Sequence, residues 1–445
     1  MQHLGENIKE LQSNVELWKH IPGLVESAHD ILSRSKEAVE STAQRLILEN
    51  LYVGDMTRRF DEVERAHEKT YSWLLGSETP HTTTSGSDSI DEPYFSLINW
   101  LAYGGGIFHI SGKPGAGKST LMKYLCQSPA TKSYLKDWAG EKTLISANFF
   151  FWKLGSTTQK SLNGLLRALS YSILEQVPAL LATVFPRQWR NATQGKAFRI
   201  HNLFSSHKIA IFIDGLDEFD GDHDKMIKLL RSWTEIVPED VKLCVSSREW
   251  EIFRQRLINC PGIRLQDITC RDIEAYINSE LSDNEEFMSH FSEESSAKHI
   301  IDQIKHKAEG VFLWVKITLI GLKSALLCGE RLGDLEARLE SLPGGLEELF
   351  MSIFTSIRSG TLTNKLDRMR AMRMILLTLK DSEIGWFTDV RDLLLTDFWF
   401  LDCYDKDPNF AINLPITTGT TESWVSRQDR ARRSVYQRCM GLLEI

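Results

Sequence analysis

Residues 112–119 read Gly112-Lys113-Pro114-Gly115-Ala116-Gly117-Lys118-Ser119, a full G-x-x-x-x-G-K-[ST] loop. Ile107-Phe108-His109-Ile110 before it reads as a short buried strand, and Leu121, Met122, Tyr124 and Leu125 after it share one helix face. Strand, glycine loop, helix is the setting this motif needs. Gly112, Gly115 and Gly117 let the backbone curl so that successive N–H groups point at one anion. The helix starting near Lys118 adds the positive end of its dipole. In that geometry the stretch from Gly112 through Ser119 to Thr120 cradles phosphates. Lys118 reaches the β- and γ-phosphates, and the Ser119 hydroxyl is offered to Mg²⁺. The alternative is a glycine-rich turn that binds nothing.

A second motif follows in the order a P-loop core requires. Ile209 to Asp214 is an apolar strand ending in a carboxylate, continued by Gly215-Leu216-Asp217-Glu218. Asp214 is placed to hold Mg²⁺ directly or through a water. Asp217 or Glu218 is placed to orient or deprotonate an attacking water. The bland alternative for these two acids is N-capping of the next helix. A third strand, Lys242-Leu243-Cys244-Val245, ends in Ser246-Ser247-Arg248. From that tip Arg248 can reach a γ-phosphate and report its presence. The competing reading pairs Arg248 with Glu249 or Glu251 at the surface.

Around these motifs the chain alternates strands and helices from Tyr94 to about Asp267, which predicts an α/β core with a mostly parallel sheet. Expected strands are 107–111, 143–151, 208–213, 241–246 and 263–266. Expected helices are 118–127, 160–177, 223–236 and 250–257. Strands such as Ile209-Ala210-Ile211-Phe212-Ile213 are apolar throughout, as in a sheet covered on both faces. After 268 helical spacing takes over, at 271–281, 296–309, 311–327, 333–340, 345–358 and 365–380. The expected organisation is therefore a helical segment at 1–47, a pre-core segment and linker at 48–92 and the nucleotide-binding core at 93–268. A helical subdomain follows at 269–382, then a helical or winged-helix-like region at 383–445. The run Thr82 to Ser89 has almost no apolar residue and reads as linker. The chain stops at Gly441-Leu442-Leu443-Glu444-Ile445, which reads as a cut in mid-element.

Composition narrows the classes. The net charge of −8 gives no general attraction for nucleic acid or acidic membranes. The seven cysteines are scattered and show no C-x-x-C pair, which points to reduced thiols and a cytoplasmic setting. The most apolar long stretch, Val311 to Cys328, is interrupted by Lys316 and Lys323 and reads as a buried helix rather than a membrane span. Arg427, Arg430, Arg432, Arg433 and Arg438 read as a solvated helix face.

The motifs together resemble the NACHT class of signalling NTPases, and most closely its fungal branch with a nephrocystin-type region. The resemblance is carried by the P-loop and by Asp214-Gly215-Leu216-Asp217-Glu218, Ser246-Ser247-Arg248 and Gly310-Val311-Phe312-Leu313-Trp314-Val315. Phe149-Phe150-Phe151-Trp152 and Leu342-Pro343-Gly344-Gly345-Leu346-Glu347 add to it. It spans about 50 to 380. It implies a STAND-type switch that binds ATP or ADP with Mg²⁺, GTP remaining open, and hydrolyses slowly to reset its state. Self-association or a protein effector would be the partner, and fungal relatives act in non-self recognition and programmed cell death. The resemblance also implies base contacts from residues 58–70, which include His67. In many STAND relatives a Gly-x-Pro motif packs on the nucleotide, whereas Gly310-Val311-Phe312 has no proline. Neither an effector domain nor a repeat sensor is legible. The expectation is a fragment, a truncated gene model or a minimal regulator. The rival readings are a scaffold with a vestigial P-loop and a turnover ATPase.

Overall fold

A computed structural model describes residues 24–68, 70–76, 92–193, 203–282, 294–327, 331–359, 365–383, 395–404, 406–413 and 421–439. Within the linker expected up to residue 92, residues 77–91 lie outside them, as do the first 23 residues and the terminal Gly441–Ile445. Contacts sort the chain into two units. The first comprises Met1–Ala66, Tyr71–Ser111 and Lys118–Ile263; the second comprises His67–Thr70, Gly112–Gly117 and Arg264–Ile445.

The first unit opens with helices α1 (Leu24–Leu51), α2 (Arg58–Glu62) and α3 (Glu92–Ala102). Helix α1 runs through the boundary expected between residues 47 and 48. Ala43 and Ile47 are buried against Leu174, Leu181 and Trp189, so one amphipathic helix carries both sides of that boundary. The core then alternates β1 (Gly106–Ser111), α4 (Lys118–Gln127), α5 (Pro129–Ala139), β2 (Thr143–Phe150), α6 (Leu162–Gln176), β3 (His207–Asp214), α7 (His223–Ile236), β4 (Val241–Ser247), α8 (Glu251–Arg256) and β5 (Gly262–Arg264). Short helical turns fill 178–193.

The five strands form one sheet in the order β2-β3-β4-β1-β5. The pairs β2/β3, β3/β4 and β4/β1 are parallel, with Phe150 opposite Asp214, Ile213 opposite Val245 and Ser111 opposite Ser247. Both faces are covered, as the unbroken apolar strands require. On one face Ile211, Ile213 and Val245 pack with Leu165, Met226, Leu230 and Phe253. On the other, Phe108 meets Trp100 of α3 at 5.4 Å between ring centroids, and Cys244 meets Met122 of α4. This is an α/β P-loop core followed in sequence by a helical region.

One feature of the core breaks the apolar rule. Lys242 of β4 has no exposed surface. Its ammonium donates to the carbonyls of Trp100 and Leu101 at 2.7 and 3.0 Å, capping the last turn of α3. It also sits 4.1 and 4.8 Å from the ring centroids of Trp138 and Trp100. Paired in this way, a buried ammonium is tolerated at the end of β4 remote from Ser246 and Ser247.

The strand expected at 263–266 is a correction. It ends at Arg264, and Leu265–Ile268 is a helical turn. Leu265 and Gln266 are buried by contacts of the second unit, so packing and not residue period decides their conformation.

The second unit contains helices α9 (Cys270–Ser282), α10 (Glu294–Ala308), α11 (Phe312–Leu327), α12 (Leu332–Ser341), α13 (Leu346–Ser359), α14 (Lys365–Glu383), α15 (Leu395–Tyr404) and α16 (Thr421–Cys439), with a short helical turn at Phe410–Asn413. Helix α11 is its centre. Trp314, Val315, Leu319 and Leu322 are buried among Ile277, Ile304, Leu335 and Leu349. Met374 of α14 packs with Phe398, Ala431 and Val435, so the hydrophobic packing runs across the boundary expected at 382/383. Of the arginines expected on a solvated face, Arg430, Arg432 and Arg433 lie exposed on α16, whereas Arg427 is half-buried over the Trp399 ring, 4.6 Å from its centroid. No described helix is long and apolar enough to cross a membrane.

Candidate functional site

The carboxyl ends of β1, β2, β3 and β4 share one edge of the sheet, where ligands of open α/β sheets bind. Asp214 ends β3 there and is 1% exposed. Two hydroxyls donate to its carboxylate: Ser246 at 2.5 Å, and Ser119. Burial pushes the Asp214 carboxyl above the usual carboxylate range. The two hydroxyls and the nearby cations Lys118 and Arg59 pull it back down. Ser246 also accepts the Gly215 N–H at 2.9 Å. The turn that follows Asp214 needs glycine, since Gly215 sits at φ +71°.

Lys118, Ser119 and Thr120 form the first turn of α4 and are partly buried. Burial pulls the Lys118 ammonium below its ordinary value. The surrounding acids Asp217, Asp214 and Glu218 work the other way, and Arg248 adds to the lowering. One lysine thus sits among three carboxylates in a partly desolvated site.

Asp217 and Glu218 do not cap the next helix. Asp222 does that, its carboxylate accepting the Lys225 N–H at 3.1 Å. Asp217 instead accepts the Arg248 N–H at 2.9 Å and pairs with the Arg248 Nε at 3.0 Å. Arg248 is therefore tied to Asp217. Glu218 accepts the Lys153 N–H at 2.9 Å, and burial raises its carboxyl.

In the second unit, the loop 112–117 is shaped by its neighbours. Gly115 and Gly117 take φ of +72° and +95°, a region that favours glycine. Gly112 serves differently, because a Cβ there would stand 2.9 Å from Gln266 Oε1. That same oxygen accepts the Lys113 N–H at 3.1 Å. The Lys113 ammonium meets the Glu309 carboxylate at 2.5 Å, and the Leu313 N–H donates to the Gly115 carbonyl at 3.1 Å. Ala116 is buried and Pro114 exposed. Gly310, at φ +78°, packs on the Gln266 backbone and gives its carbonyl to Thr269 Oγ1 at 2.9 Å. His67, also in this unit, meets Tyr276 edge-on at 5.6 Å.

Sequence reasoning missed three contributors. Ser246 was legible only as a polar strand tip, and Gln266, though part of a stretch that carries the family resemblance, was placed in an expected strand with no contact to the loop foreseen. Arg59, on α2, acts on the charges of Asp214 and Glu218. No short-range pattern links residues so far apart in the chain.

Fold, loop and motif order together are those of an α/β P-loop core. More particularly, residues 86–248, under half the chain, match the family described as Nephrocystin 3, N-terminal. Among solved structures, the chain is similar to the Drosophila ORC bound to DNA at 12% identity, with 81% of this chain and 89% of that chain covered and a TM-score of 0.33. It is similar to Cdc6p from Pyrobaculum aerophilum at 13% identity, with 84% and 90% covered and a TM-score of 0.31. Overlaps this loose carry no argument about function. No curated protein matches the chain.

Proposed function

We propose that the chain is a nucleotide-gated signalling switch of the NACHT/STAND type, with ATP as the favoured ligand. Slow Mg²⁺-dependent hydrolysis would reset its state. The observation that supports this best is the convergence of Lys118, Ser119, Asp214, Asp217 and Glu218 on one edge of the sheet.

In this reading the N–H groups of Gly112–Thr120 and the Lys118 ammonium bind the phosphates. Ser119 and Asp214 would hold Mg²⁺. They suit it: a hydroxyl and one buried carboxylate, already in contact, form the sparse hard-oxygen set that magnesium accepts beside phosphates. When bound, the ion supplies charge neutralisation at the phosphate oxygens. Glu218 or Asp217 orients the attacking water. Glu218 is the better base, since Asp217 is committed to Arg248. Arg248 would sense the γ-phosphate by leaving Asp217, its guanidinium being partly exposed. Self-association or a protein effector as output, a role in fungal non-self recognition or cell death, and GTP as a substitute ligand belong to this proposal through the resemblance. A cytoplasmic setting accords with the free thiols of Cys126, Cys244, Cys260, Cys270 and Cys403.

The test is to purify the chain and Lys118→Ala, extract bound nucleotide with acid and identify it by chromatography. ADP in the wild type and none in the variant is expected. No nucleotide in either, and no binding on adding Mg-ATP or Mg-GTP, would sink the switch in favour of a scaffold. A turnover well above about one per minute would favour a true ATPase, whose typical rates are far higher.

A further inference from the structure

We propose that Arg59 is the cation that contacts the terminal phosphate of a bound nucleoside triphosphate, supplied from the segment ahead of the core. This rests on the nucleotide reading above and gives Arg59, within the 58–70 segment expected to contact the base, a phosphate contact instead.

Three observations carry it. First, the Arg59 Nε is buried and has no hydrogen-bond partner among the described residues. A buried donor left unpaired is costly, so an acceptor there is favoured. Its neighbour differs: Arg58 Nε is already bonded to Glu62 at 2.8 Å. Second, the guanidinium of Arg59 stands 5.7 Å from the Trp152 ring centroid, and its charge acts on both Asp214 and Glu218. These are the acids assigned to the metal and to the attacking water, so the cation lies at the terminal-phosphate end of the site. Third, α2 is held firmly. Lys123 of α4 donates to the carbonyls of Asp61 and Val63 at 3.0 and 2.7 Å, and Phe60 meets Phe150 edge-on at 5.1 Å. Asp55, just before α2, accepts from Ser156 and Thr158 of the loop after β2. Arg59 is thus bolted to the helix that begins with Lys118 and Ser119.

The chemistry fits. A planar guanidinium presents paired donors that match phosphate oxygens. With no nucleotide, the two desolvated carboxylates balance its charge. With a triphosphate in place, rotation of the side chain would bring the terminal oxygens to Nε as the acceptor it lacks. A diphosphate does not reach that position, so Arg59 discriminates between the two ligands. Arg248, the other arginine of the site, is already engaged by Asp217.

The experiment is calorimetric titration of Mg-ATP and Mg-ADP into wild type, Arg59→Ala, Arg59→Gln and Lys118→Ala. Arg59→Gln keeps a polar stem beside Trp152 without the charge, and stands in if Arg59→Ala fails to fold. The expected result is ATP affinity lowered at least tenfold, ADP affinity changed less than threefold, and both lost in Lys118→Ala. Equal losses for ATP and ADP in a folded Arg59 variant, or no loss, would overturn the assignment and leave the nucleotide reading standing. Wild type that binds neither nucleotide would overturn both.

Discussion

Ser246 shows how much one hydroxyl can decide. It donates to Asp214 and accepts from Gly215, so it orients the carboxylate and fixes the turn behind it. Ser246→Ala leaves a buried N–H without an acceptor and a buried carboxylate short of a donor. The expected cost is about 1–3 kcal/mol, read by urea denaturation; a change below about 0.5 kcal/mol would refute the double role. Loss of a donor also pushes the Asp214 carboxyl further up, which would weaken it in the metal-holding role proposed above. Single residues with motif character were legible from sequence. Lys118, Ser119 and Asp214 fall on the helix start and strand end that their patterns predict. The link of Arg59 and Ser246 to Asp214 was not, because it lies in a neighbour that only the folded sheet brings near.

At the scale of elements, β1 to β4 were legible to within a residue or so at each end. An unbroken apolar run of strand length, covered on both faces, has few other conformations open to it. Helices α3 and α5 were not identified; α3 is rich in apolar residues, and its burial comes from contacts such as Trp100 with Phe108. The turn Glu309-Gly310-Val311 is the element most exposed to a single change. Glu309 already adopts φ +46°, and Gly310 at φ +78° leaves no room, as a Cβ there would lie 2.1 Å from the Gln266 carbonyl oxygen. Gly310→Ala is expected to cost about 2–4 kcal/mol, combining left-handed strain with overpacking. It should also speed amide exchange at residues 112–117, since Gln266 holds the Lys113 N–H. Hydrogen-exchange mass spectrometry reads this directly, and unchanged exchange in that loop would refute the linkage.

For the molecule as a whole, Lys242 sets a pH dependence of stability. Burial pulls its ammonium down to about 7, against an ordinary 10.5. Between those values the unfolded chain keeps a proton that the folded chain has released. Stability attributable to this group therefore rises with pH across that window, by up to about 1.4 kcal/mol per unit. The faces of Trp138 and Trp100 favour the charged form and narrow the window. Denaturation at pH 7 and pH 9 should show the rise in wild type and its absence in Lys242→Met. Equal slopes in the two proteins would count against it.

The strand order has a consequence for synthesis. Strand β1 sits between β4 and β5, and its residue Gly106 pairs with Lys242. On a ribosome, β1 therefore emerges long before either neighbour exists. Strands β2 and β3 can join first, while the apolar run Ile107-Phe108-His109-Ile110 waits with both edges open until residues 241–247 and then 262–264 have left the tunnel. Through that interval the nascent chain carries an adhesive segment beside an unformed glycine loop. Its yield in a cell then depends on chaperone supply and translation speed as much as on the stability of the finished fold.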